Sequence, residues 1–127
     1  MRENTGLQTT LRLSAAPAAA LAIWILSSRP TLPLPPDVPY LDKAAHFIAY
    51  AVLAWTTGLW LPRRDWRARP LRTALIVTAV CAAYGAADEL HQSFVPGRDM
   101  SAGDWLADVL GAGTGAEISR SVAKRQE

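Results

Sequence analysis

The sequence has little cysteine, little charge, and no polar face along several long stretches. A single cysteine, Cys81, in 127 residues excludes an internal disulfide. With no CxxC partner it also excludes a zinc ribbon or a thioredoxin-type redox pair. There is no GxGxxG, Walker loop, HExxH motif, internal repeat or basic amphipathic helix, so nothing points to a nucleotide, a zinc-protease centre or nucleic acid. Charged residues make up 19% of the chain against 50% apolar. That balance is too apolar for disorder, and the length suits one domain, 1–127.

What is there is a set of uncharged runs. Residues 13–28, LSAAPAAALAIWILSS, are apolar all round, as a helix buried in lipid or protein is. Residues 44–62 carry no formal charge apart from the titratable His46, and at about 1.5 Å per residue they nearly cross a hydrocarbon core of about 30 Å. Residues 73–87 run without a proline into Asp88, Glu89, Leu90, His91 and Gln92. Residues 101–118 are the least apolar and hold Asp104 and Asp108. The expectation is an all-α integral membrane bundle of four transmembrane helices, at about 12–28, 43–62, 71–91 and 101–118. No small-x-small cleavage site precedes the proline-rich run that follows the first span, so that span reads as an uncleaved anchor.

The arginines support the fourth span. With four spans, ten of the thirteen basic residues fall on one side, and short cytoplasmic loops are the ones rich in Lys and Arg. Both termini are therefore expected in the cytoplasm, and the protein in the inner membrane. A soluble bundle would have to place the five arginines between Arg63 and Arg72 without a matching acidic face. The segment between Arg29 and Lys43 holds five of the nine prolines and reads as an extended, polyproline-like strap or spacer on the outer surface.

The acidic residues concentrate on the opposite, outer side, together with both histidines. Ionisable groups at membrane depth are costly and mark functional sites. Helical spacing sets Asp42, His46 and Tyr50 on one face of the second helix, with Asp42 placed to orient the imidazole or to cap the helix. Cys81, Tyr84, Asp88, His91 and Gln92 share a stripe on the third, with Glu89 on its flank. Asp104, Asp108, Gly111 and Gly115 line the fourth, and its glycines allow close helix approach. Ser101 with Asp104 reads as a capping box. Arg98 is the nearest cation for the carboxylates. Cys81 reads as a small core residue, and the tryptophans as interface or packing residues.

The strings LDKAAHFIAYAVLAW and YGAADELHQSFVPGRDMSAGDWLADVLGAGTG resemble the VanZ-like family of small bacterial membrane proteins. The elements that carry the resemblance are DKxxHfxxY, DExxQ, a PGR turn, and an aspartate followed by glycine. They mark Asp42, Lys43, His46, Tyr50, Asp88, Glu89, Gln92, Arg98, Asp104 and Gly111. Family members commonly show asparagine where this chain has Asp108. The resemblance implies an envelope protein, with a link to resistance to the glycopeptide teicoplanin.

The leading reading is an outward-facing polar cluster that binds a lipid-linked cell-wall precursor or lipoglycopeptide. In it Lys43, Tyr50, Gln92, Arg98, Asp104 and Asp108 make the ligand contacts. The alternative is a membrane-embedded hydrolase or transferase acting on a lipid head group, with His46, Asp42, Asp88 and Glu89 as catalytic candidates. Ser93 and Ser101 lack the setting of an activated nucleophile. A metal centre from His46, His91 and a carboxylate pair has the right ligand types but no recognised spacing, so no metal or cofactor is assigned. The inner halves of the helices offer no charged relay for an ion conduit.

Overall fold

The computed structural model describes residues 2–125. It is built of helices α1 (Arg2–Ser27), α2 (Leu41–Gly58), α3 (Arg63–Ala68), α4 (Pro70–Gln92) and α5 (Ala102–Arg125), with no strand among the described residues. Two stretches, Gly6–Ser27 and Pro70–Gln92, are long and apolar enough to cross a membrane. α2 contains Asp42, Lys43 and His46, and α5 contains Asp104, Asp108 and Glu117. Neither α2 nor α5 is among the stretches that meet that measure of length and composition.

Local chemistry explains the helix ends. α4 starts on Pro70, whose missing N–H is one the first turn leaves unpaired in any case. Thr73 Oγ1 donates to Asp65 O and Arg69 O, which ties α3 to the start of α4. Ahead of α5 the Ser101 hydroxyl accepts from Asp104 N at 3.2 Å, the Ser half of the expected capping box. The other half does not form, because Ser101 N donates to Glu89 Oε2 instead. Asp42 is not the α2 cap either. The residue before that helix is Tyr40, in the left-handed conformation at φ 60° with no side-chain cap, and Asp42 lies in the first turn.

Tightest of the packings is that of α5 on α2. A Cβ at Gly111 would collide with Phe47 O, and one at Gly115 with Ala51 O, so the two backbones touch across the missing side chains. Ser119, four residues further on, donates to Trp55 O. The core between the long helices holds Tyr50, Leu53, Ala54, Val77, Cys81, Ala112 and Ala116. Trp66 of α3 is buried beneath it and donates from Nε1 to Gly58 O.

Two sequence expectations change. α3 is unforeseen: apart from Trp66 and Ala68 it is charged, and six residues are too few to show a period. The 28–40 segment is not extended; it is a series of bends and turns, with Leu34 N bonded to Leu32 O. It is drawn back over the ends of the helices, where Arg98 Nη1 reaches Arg29 O.

Candidate functional site

Three helices contribute to one buried polar cluster. From α2 come His46 and Tyr50, from α4 come Asp88, Glu89 and Gln92, and from α5 comes Asp108; all are buried. His46 Nδ1 pairs with Asp108 Oδ1 at 2.8 Å, lies 4.0 Å from Glu89 Oε1, and has Asp104 Oδ2 4.0 Å beyond Nε2. Asp88 Oδ2 accepts from Ser27 Oγ at 2.8 Å and from Gln92 Nε2 at 3.2 Å. Gly85 makes room for this arrangement, since a Cβ there would lie 2.9 Å from Asp108 Oδ2 and 3.2 Å from Tyr50 Cε1.

The orienting role expected of Asp42 belongs to Asp108. The Asp42 side chain is half exposed and pairs with its neighbour, Lys43, at 3.1 Å. That hydrogen bond holds the Asp42 carboxyl below the usual carboxylate range. Spacing along one helix showed that Asp42 and His46 share a face. It did not show that the imidazole turns inward toward α5.

Arg98 is likewise not paired with a carboxylate. Its Nη2 donates to Gln92 Oε1 at 2.8 Å, so it reaches Asp88 only through the Gln92 amide. The cation that meets an acid at this end is Lys43, 3.0 Å from Asp104 Oδ1. Glu89, expected on a flank, is buried within the cluster, with Ser101 N at 2.8 Å from its Oε2. His91 stands apart, stacked on Trp24 with ring centroids 4.0 Å apart and bonded to Ser28 Oγ through Nε2. That placement removes it from any centre shared with His46.

Spacing did not single out Ser27, which anchors Asp88, and it placed Tyr84 on the α4 stripe without its partner, Ala20 O, to which the hydroxyl donates and so fixes α1 to α4. Both partners lie across helices, beyond the reach of spacing arithmetic.

Outside the cluster lies an open cleft of about 380 Å³ between the proline-rich segment and the helix ends. Pro30, Leu32 and Pro35 form one wall, His46, Gln92 and Arg98 are in the other, and Asp42, Asp99 and Asp104 also line it. A smaller pocket of about 60 Å³, reaching Tyr50 and Asp88 beneath Ser27, adjoins it at His46 and Arg98.

The VanZ/LLP1 family model matches residues 5–123, nearly the whole chain. The chain belongs to the VanZ/LLP1 family. In this VanZ/LLP1 protein every site residue marked by the sequence resemblance falls within the matched span. No curated protein and no solved structure matches the chain.

Proposed function

We propose that this VanZ/LLP1 protein is a four-span envelope membrane protein with both termini cytoplasmic, and that its strap-covered cleft binds the polar head of a lipid-linked cell-wall precursor or lipoglycopeptide. Exposed aliphatic residues support the spans. Leu21 of α1, Ile48 of α2, Leu75 of α4 and Leu110 of α5 are each 57–62% exposed, so all four long helices present apolar side chains outward, as lipid contact requires. The basic residues support the orientation. Arg12 bonds Leu59 O at the far end of α2 from His46, beside the arginines of α3.

The observation that carries the binding reading is the composition of the cleft. Its Pro- and Leu-rich wall suits an acyl or prenyl chain. Arg98, bonded to Gln92 Oε1 and to no carboxylate among the described residues, offers its remaining N–H groups to a head group, while Asp42, Asp99 and Asp104 in the same lining suit hydroxyl, amide or amine groups of that head. The test is binding to protein in nanodiscs, with teicoplanin, vancomycin and a polyprenyl diphosphate as probes, read by tryptophan fluorescence. Binding of a lipid-bearing probe, weakened about 10-fold by Arg98→Ala and unchanged by Arg63→Ala, is the expected result for one lost charge-assisted contact. Equal binding by wild type and Arg98→Ala would sink the reading.

One observation favours the hydrolase or transferase alternative: the buried His46–Asp108 pair beside the same cleft has the geometry of an oriented general base. Binding kept and turnover of the polyprenyl diphosphate lost in His46→Ala would select it.

A further inference from the structure

We propose that His46, Glu89 and Asp108 form a binding site for one divalent transition-metal ion that accepts mixed nitrogen and oxygen donors, of the manganese or zinc kind. The proposal is independent of what the cleft binds. One ligand atom from each residue lies within 4.8 Å of the other two. Ligands about 2.0–2.2 Å from a common ion lie at most about 4.4 Å from one another. The 2.8 Å from His46 Nδ1 to Asp108 Oδ1 and the 4.0 Å to Glu89 Oε1 already satisfy that limit. A metal would take the place of the hydrogen bond between Nδ1 and Asp108 Oδ1.

A second observation points to a ligand. Glu89 Oε1 and Asp108 Oδ2 have no hydrogen-bond partner, on side chains that are 4% and 0% exposed. The neighbouring Asp88 Oδ1 and Tyr50 hydroxyl are also unpartnered. Buried polar atoms are nearly always paired, so the two orphan oxygens of the residues beside the His46 imidazole call for an occupant.

The charges agree. Lys43 is engaged by Asp42 and Asp104, and Arg98 by Gln92. Among the described residues, His46 is therefore the basic side chain that faces Glu89 and Asp108. Carboxylates buried without a compensating cation are strongly unfavourable, and a divalent ion supplies the missing charge. His46 also lines the open cleft, which gives the ion an entrance and room for waters to complete its shell.

The donor set narrows the metal. Calcium takes oxygen ligands, and the imidazole nitrogen of His46 is a poor donor to it. Thiolate-seeking ions have no nearby ligand, because Cys81 is packed in the apolar core. One imidazole with two carboxylates suits manganese or zinc.

The experiment uses full-length protein in nanodiscs, purified without a histidine tag, stripped with chelator and titrated with Mn(II) and Zn(II). One ion per chain is expected, with affinity lowered by about 10-fold or more in each of His46→Ala, Glu89→Gln and Asp108→Asn. His91→Ala leaves His46 as the only histidine of two. Imidazole nitrogen coupling in the electron spin echo of bound Mn(II) should persist in that variant, which keeps the test decisive if a site variant fails to fold. No retained metal in the wild type would overturn the proposal and leave the His46–Asp108 hydrogen bond to hold the cluster. Metal retained by all three site variants, or coupling lost in His91→Ala, would overturn it as well.

Discussion

His46 Nδ1 lies 2.8 Å from Asp108 Oδ1 although the two residues are 62 positions apart in the chain. The pair joins α2 to α5 at the level where the polar cluster begins. A buried hydrogen bond between an imidazole and a carboxylate is among the stronger side-chain contacts, and removing one partner strands the other.

Replacing Asp108 with leucine should therefore lower stability by about 1–3 kcal/mol. Asparagine keeps an acceptor for the ring and should unfold closer to wild type. Thermal unfolding in detergent gives the order directly. Identical melting of the Leu and Asn variants would show that the contact does not support the fold.

Function should follow the same pair. His46→Ala and Asp108→Ala should each abolish the envelope phenotype, measured as teicoplanin susceptibility of cells overexpressing the protein. The double variant should be no worse than either, since residues acting as a unit lose their joint effect once. Asp42→Asn should retain the phenotype, because Asp42 faces outward and bonds only Lys43. Loss in Asp42→Asn with His46→Ala still active would invert this assignment.

Gly111→Ala should destabilise by about 1–3 kcal/mol, the usual cost of overpacking, because the new methyl meets the Phe47 carbonyl. Gly113→Ala, which has open space around its Cβ, should gain up to about 1 kcal/mol of helix propensity. Melting temperatures shifted in the same direction for the two would show that the α2–α5 seam is looser than described.

The four-span arrangement predicts the behaviour of reporter fusions. Fusions after Arg72 and at the C-terminus should report cytoplasmic, and those after Pro36 and Pro96 external. An external C-terminus would place α5 on the membrane surface rather than across it.

The polar cluster was legible in the sequence because uncharged runs make any retained acid or histidine conspicuous. His46, Asp88, Glu89, Gln92 and Asp108 stand out for that reason, and the structure brings them together. Which side chain meets which was not legible. The 100° step of a helix ranks neighbours within one element, so it favoured Asp42 for His46. The observed partner depends on how closely α5 approaches α2, which Gly111 and Gly115 permit without naming the face they meet. The bends of the 28–40 segment were hidden similarly, because prolines imply stiffness and the fold-back depends on contacts such as Arg98 with Arg29 O.

The glycine seam divides the site mechanically. Where two helix backbones lie in contact there are no rotamers to rearrange and no side-chain layer to shear, so α2 and α5 behave as a single beam. His46 and Asp108 are both mounted on that beam, and their spacing is insensitive to movement elsewhere. Asp88 and Glu89 ride on α4, whose upper end is tied to α1 through Ser27, Trp24 and Ser28. Glu89 is also held to the start of α5 through Ser101 N, so a tilt of α1 against the beam would be felt first at Asp88, through Ser27, with the dyad and its distance to Glu89 least altered.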